Sequence, residues 1–167
     1  MSKLIFRRRS IRKFKDEPLP DEAISQILKA AMAAPSANNV KAWHFVVITK
    51  RELLDQLAEI HPYGKMLKEA AAAILVCGNT QKQSVTGYLY MDCAAATQNI
   101  LLEATSLDIG SVWLGVFPRE ARMLEISNFL KIPETILPVS LVALGYPAEQ
   151  KPINNPWQAE AIHYNKW

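Results

Sequence analysis

The sequence predicts an α+β fold in one domain spanning residues 1–167. Two observations carry that prediction. Helical and strand-like stretches are mixed along the chain, and regular βαβ alternation is absent at its start. With 167 residues, half of them hydrophobic and 21% charged, the chain can build one packed core and lacks the composition of a disordered protein.

Pro18-Leu19-Pro20-Asp21 opens the first helix, with Asp21 expected as N-cap and Glu22 in the first turn, where the helix dipole favours an acid. Ile24, Ile27, Leu28 and Ala31 recur at i, i+3, i+4 and i+7, and Pro35 ends the stretch. Ser36-Ala37-Asn38-Asn39 is a polar loop, and Trp43–Thr49 is an apolar, β-branched strand. Leu53, Leu54, Leu57 and Ile60 make Lys50–Ile60 an amphipathic helix, a short helix covers Gly64–Ala71, and Ala73–Cys77 is a buried strand.

Gly87–Leu107 is the longest helix. Tyr88 to Met91 and Cys93 to Ala96 leave little polar face, so the helix is buried either inside the chain or beneath a second subunit; we favour a C2-type homodimer. Ser111–Phe117 is a strand with Gly115 inside it, Pro118–Leu130 a helix, and Pro138–Gly145 the last strand. The tail 152–167 is irregular but carries Trp157, Ile162, Tyr164 and Trp167, which suits docking on a dimer.

Several classes are excluded or disfavoured. The longest apolar run, Ala70–Gly78, is too short for a membrane span, and MSKLIFRRRS has no apolar core of a secretory signal, so a cytoplasmic protein is expected. Cys77 and Cys93 read as buried reduced thiols. His44, His61 and His163 lack metal-ligand spacing, and no metal site is expected.

Net charge is only +3, yet Lys3, Arg7, Arg8, Arg9, Arg12, Lys13 and Lys15 crowd the first fifteen residues without an acid. Such a cluster attracts an anion. Within it, Arg8, Arg9, Ser10 and Arg12 fit a phosphate dianion, through forked guanidinium donors and a hydroxyl, although a solvated basic segment has the same composition. Phe6 and Phe14 read as helix staples, and no nucleic-acid motif accompanies the cluster.

Three further constellations are candidates. Pro35 to Asn39 offers backbone and short polar side chains to a planar ligand; taken alone it reads first as a plain helix-exit loop. Lys65 opens a short helix, where a lysine is either solvated or placed to stabilise negative charge in a pocket. Gly115, in Trp113-Leu114-Gly115, marks either close approach of backbone to a ligand or a bulge. Dinucleotide, Walker and nucleophile-elbow motifs are absent, and no acid–base set stands out, which points to a cofactor bringing its own chemistry.

In this order the constellations resemble the short, single-domain members of the FMN-dependent nitroreductase family. The matching pieces are RRSIRKF at Arg8–Phe14, APSANN at Ala34–Asn39, the strand from Trp43, Lys65-Met66-Leu67, the long helix with Asp92 and Asn99, IGSVWLGVFP at Ile109–Pro118, LGYPAEQKP at Leu144–Pro152 and HYNKW at the end. The resemblance covers essentially the whole chain.

It implies a sandwich with a central, mostly antiparallel sheet flanked by helices, and a homodimer whose interface includes the long helix and shares its active sites. It implies FMN as cofactor and NADH or NADPH as co-substrate, with hydride passed by a ping-pong mechanism to a nitroaromatic, quinone or similar acceptor. Arg8, Arg9, Ser10 and Arg12 match the segment holding the phosphate and ribityl chain, and Lys151 a late basic residue beside the phosphate. Pro35, Ser36, Ala37 and Asn39 match the loop reaching the flavin from the partner subunit, Lys65 a lysine near the pyrimidine edge, and Leu114 with Gly115 the segment whose N–H approaches flavin N5. No side chain is assigned as catalytic acid. Lys41-Ala42 replaces the family's usual Gln-Pro, and Asn154-Asn155 stands where a further arginine is common. The alternatives are a non-catalytic flavin-binding or redox-sensing protein, or another flavin reaction such as dehalogenation or enoate reduction.

Overall fold

Alternating apolar residues in two strands lay out the architecture. In β2 (Ala72–Asn79), Ala72, Ile74 and Val76 face one apolar cluster, while Ala73, Leu75 and Cys77 face another. In β4 (Ile136–Gly145), Val142 and Leu144 join the first cluster, and Leu141 and Ala143 the second. Period-two geometry sends neighbouring side chains to opposite faces, so a strand apolar on both faces needs helices above and below. The structure, a computed structural model that describes residues 4–167, has that form.

The sheet is fully antiparallel, in the order β1-β2-β4-β3, with β1 at Trp43–Ile48 and β3 at Gly110–Gly115 on opposite edges. A short α1 (Leu4–Arg7) precedes the first long helix. One face of the sheet carries α2 (Asp21–Met32) and α4 (Thr86–Ser106), and the other α3 (Arg51–Ile60) and α5 (Glu120–Leu130). The expected α+β sandwich with an antiparallel sheet is thus observed.

Irregularity in β4 sets where β3 stops. A bulge between Val76 and Cys77 shifts the register with β4 at Val139, next to Pro138, which has no N–H to give a ladder. The freed Val139 carbonyl accepts the N–H groups of Val116 (3.2 Å) and Phe117 (3.0 Å), ending β3 at Gly115. In the interior, Thr97 of α4 donates to the Cys93 carbonyl at 2.7 Å, and its hydroxyl lies 2.7 Å from that of Ser140 in β4, so these buried hydroxyls are satisfied.

Some local expectations need correction. Asp21 is the first helical residue rather than the cap; Pro20 holds the capping position, and no side-chain cap bond forms. The stretch after Gly64 is a 3₁₀ turn at Lys65–Lys68 rather than an α-helix. Gly115 ends its strand rather than interrupting it. Phe14 staples no helix; it is buried against Gly145. Within one chain α4 is not buried on every side, since Tyr88 and Met91 are 47% and 60% exposed. Lys3 of the basic cluster lies outside the described residues. Cys77 and Cys93 are buried free thiols, and burial pushes both up to about 12. Among the described residues no helix is long and apolar enough to cross a membrane, and no cluster of three or more His, Cys, Asp or Glu is arranged for a metal.

Candidate functional site

After α1 the chain crosses the end of the sheet as an extended strap. Ile11 N–H donates to the Ser111 carbonyl, Lys15 N–H to that of Tyr146, and Ala148 N–H to that of Lys13, each at 2.9 Å. Two glycines make room. A Cβ on Gly110 would lie 2.8 Å from the Ile11 side chain, and one on Gly145 would lie 2.9 Å from the Phe14 ring. The strap is therefore pressed onto the sheet by Ile11 and Phe14, while Arg8, Arg9, Ser10 and Arg12 stay partly or fully exposed.

The segment after β4 ties the strap down. Lys151 Nζ donates to the Ser10 carbonyl at 2.6 Å and pairs with Glu149 at 3.4 Å. Glu149 Oε1 accepts the Arg12 N–H at 2.6 Å. That bond is the main reason the Glu149 carboxyl lies below its ordinary range; burial opposes it, and Lys151 adds to the lowering. The Arg9 guanidinium donates to the Pro152 carbonyl, and Arg7 pairs with Asp108 at 2.8 Å. The guanidinium groups of Arg8 and Arg12 have no hydrogen-bond or ion-pair partner among the described residues. A pocket of about 190 Å³ opens between Arg9, Gly110, Glu149 and Lys151.

From this basic end the free edge of β3 runs to Gly115. The Ser111 carbonyl points at the strap, away from β4, so strand alternation turns the main-chain groups of Trp113 and Gly115 the same way. Leu114 is buried, and its N–H faces β4; within the pair expected to approach a ligand, Gly115 alone offers a free edge donor. A Cβ built on Gly115 would meet nothing nearer than the Phe117 carbonyl oxygen at 4.0 Å, so nothing in this chain requires a glycine there. At a rise of about 3.3 Å per residue, Ser111 and Gly115 stand roughly 13 Å apart.

The Gly115 carbonyl accepts a hydrogen bond from His61 Nε2 at 3.0 Å and another from the Arg122 guanidinium. The sequence around His61 does not single it out. It also lines a pocket with Pro62 and the exposed Lys65, so the Lys65 turn and Gly115 meet through this histidine.

The loop Pro35–Asn39 lies elsewhere. It leads into β1, at the same end of the sheet as Gly115 but on the opposite edge, about three inter-strand spacings or roughly 14 Å away. One chain does not bring it to the strap. The loop is nonetheless held firmly. Ser36 Oγ accepts the Lys41 N–H and Asp92 Oδ1 accepts the Ala37 N–H, both at 3.0 Å. Asn38, Asn39 and Lys41 all adopt left-handed backbone, with φ of 51°, 55° and 52°. Lys41, the unusual charge in this loop, is exposed to solvent.

A strap of basic residues thus lies beside the edge of β3 in an antiparallel α+β sandwich, and comparisons with known proteins give its family. The nitroreductase family model matches residues 5–82 and 61–146, and the chain belongs to that family. It is 46% identical over 160 residues to a provisionally named NADH dehydrogenase/NAD(P)H nitroreductase of Methanothermobacter thermautotrophicus, covering 96% of this chain and 84% of that one. A crystal structure of a protein with the same provisional name from Parabacteroides distasonis superposes with a TM-score of 0.95 at 39% identity, over 99% of this chain and 97% of the other. A provisionally named nitroreductase from Desulfovibrio desulfuricans, solved in complex with FMN, superposes with a TM-score of 0.85 at 30% identity, over 99% and 96%.

Proposed function

We propose that this protein is an FMN-dependent oxidoreductase moving hydride from NADH or NADPH to a nitroaromatic, quinone or similar electrophile. The carrying observation is the outer edge of β3, with the guanidinium groups of Arg8 and Arg12, unpaired among the described residues, near one end and the Gly115 N–H, turned away from β4, at the other. FMN has a dianionic phosphate at one end, a ring at the other and a flexible chain between, and the roughly 13 Å from Ser111 to Gly115 suits it. The FMN complex of the Desulfovibrio relative supports the same cofactor.

Arg8, Arg12 and Ser10 hold the phosphate and ribityl chain in this reading, with Arg9 and Lys151 keeping the strap in place and adding positive charge. FMN, when bound, would supply the hydride chemistry, and in the ping-pong order we propose the nicotinamide product would leave before the acceptor enters. Gly115 would offer its N–H to the flavin near N5, and Lys65 would add positive charge near the pyrimidine edge. No side chain has to move a proton for hydride transfer itself.

The site is completed by a second copy of the chain. The Pro35–Asn39 loop, too far from Gly115 within its own chain, would reach the flavin of the partner subunit. The exposed Tyr88 and Met91 of α4 and the exposed tail aromatics Trp157, Tyr164 and Trp167 give such a homodimer apolar surface to bury. Residues 1–167 then act as one domain with the tail 152–167 docked across the dimer. The free thiols suit a reducing cytoplasm.

The test is the visible spectrum of the freshly purified protein with FMN added, then anaerobic reduction with each nicotinamide. Bleaching of bound FMN by NADH or NADPH and its return on adding a nitroaromatic or quinone is expected. A protein that leaves added FMN unbound overturns the reading. Sedimentation at low micromolar concentration should show a dimer, and a folded monomer carrying FMN would contradict the shared site.

A further inference from the structure

We infer that His61 is a positioning residue of the flavin site, locking the Gly115 peptide and the turn that carries Lys65 into one arrangement. This role rests on the FMN reading of the site.

The ring of His61 is 1% exposed, just beyond the end of α3. Its Nδ1 accepts the Tyr63 N–H at 3.2 Å, so the ring proton sits on Nε2, which donates to the Gly115 carbonyl at 3.0 Å. The main chain of the same residue builds the next turn. The His61 carbonyl accepts the Gly64 N–H at 2.7 Å, and the Gly64 carbonyl accepts that of Leu67 at 2.8 Å. A Cβ on Gly64 would lie 2.9 Å from the His61 carbonyl oxygen, so the turn carrying Lys65 is closed tightly on His61. One residue is thus bonded through its ring to the β3 edge and through its backbone to the lysine turn.

A histidine that only fills space has no reason to choose a strand-edge glycine that packing does not need. Here two donors, His61 and Arg122, converge on the carbonyl of that glycine while its N–H stays free. Arg122 makes the contact although its own Nε is buried without a partner among the described residues. The N–H and the carbonyl of Gly115 face the same outer edge of β3, so holding the carbonyl restricts the rotation of the residue and with it the direction of the N–H. The charged and titratable groups around the ring are Glu59 from α3, Tyr63, Lys65 and Lys68 from the turn, and Arg122 from α5. Burial lowers the His61 pKa, the Gly115 bond opposes this, and Arg122 lowers it further, so the single-proton form that makes both bonds persists.

The test compares His61→Leu with His61→Gln in the FMN-loaded protein. Wild type is titrated first; if it binds no FMN, the functional reading fails, and this role fails with it. With FMN bound, His61→Leu should alter the visible bands of the flavin and slow its stopped-flow reduction by nicotinamide about tenfold, with the nicotinamide KM within about twofold. His61→Gln, whose amide can reach the same carbonyl, should recover most of both. A His61→Leu protein with wild-type spectrum and reduction rate overturns the inference while leaving FMN binding intact. Should the leucine variant not fold, ¹⁵N NMR of His61 in the cofactor-free wild type decides. At pH 8 a neutral ring with its proton on Nε2 is expected, and a neutral ring with its proton on Nδ1 overturns the assignment.

Discussion

Asp92, one carboxylate in an otherwise apolar stretch of α4, accepts the N–H of Ala37 at 3.0 Å and leaves its second oxygen without a partner among the described residues. It is 7% exposed, so this bond to the loop engages a carboxyl group that is buried among the described residues. The loop it holds has three left-handed non-glycine residues within four positions, a conformation that persists only when its surroundings enforce it.

Replacing Asp92 by Ala should therefore loosen the loop. The half-buried Ala37 N–H would lose its acceptor at a cost of about 1 kcal/mol, readable as a lower urea midpoint and faster hydrogen exchange at Ala37. Asp92→Asn keeps an acceptor oxygen and should lose less. Wild-type exchange at Ala37 in the alanine variant would contradict this assignment.

Two glycine substitutions separate packing from ligand space. Gly145→Ala drives a methyl to 2.9 Å from the Phe14 ring and should destabilise the fold by about 1–3 kcal/mol. Gly115→Ala meets nothing in its own chain and its backbone is not left-handed, so it should leave stability unchanged or raise it by up to about 1 kcal/mol. It should nevertheless weaken FMN binding or slow flavin reduction. Chemical melts together with FMN titration distinguish the two variants, and an active, fully FMN-loaded Gly115→Ala enzyme would argue against backbone contact at this edge.

Stability should fall with acid in two windows. The folded state holds His61 below its ordinary value, so below about pH 6.5 the unfolded chain takes up a proton that the folded one refuses. Stability declines from there until the lower folded value is passed. Glu149 is also lowered, and its contribution is present above the ordinary carboxylate range and lost as pH drops through the folded value. Urea melts from pH 8 to 4 should show the upper step in wild type and its absence in His61→Gln.

Arg8→Ala with Arg12→Ala should remove FMN while sparing the fold. Neither guanidinium has a partner among the described residues, so the two changes should cost about 0.5 kcal/mol or less each. Arg7→Ala loses a surface pair with Asp108 and should change stability by at most about 1 kcal/mol, with cofactor retained. Full flavin occupancy in the double variant would discard the phosphate assignment.

Features that depend on near neighbours are legible in the sequence. In the i, i+3, i+4, i+7 stripe, Ile24, Ile27 and Ala31 are buried and Leu28 is half-buried against the same cluster, and the β-branched runs of β1 and β4 are strands. The antiparallel sandwich and the site segments are readable from the order of their motifs, because each motif is continuous in the chain. The strap is less legible. Phe14 looks local to a helix, but the residues it meets, Gly145 and Pro147, are more than 130 positions away, and only the fold brings them together. His61 is hidden for the same reason, since its partners Gly115 and Arg122 belong to β3 and α5. The one local hint is the turn Pro62-Tyr63-Gly64 just ahead of Lys65. Asp92 carries a stronger hint, as a lone acid among apolar neighbours in the first half of α4.

The central claim is that the strap grips the phosphate end of a flavin lying along β3. The most direct measurement is a calorimetric titration of the cofactor-free protein with FMN and, separately, with riboflavin, which has the same ring and ribityl chain without the phosphate. At least two charge-assisted hydrogen bonds to the phosphate, each about 1.5–3 kcal/mol, should make FMN bind at least about a hundredfold more tightly. Equal affinities for the two flavins, or no binding of either, would contradict the account.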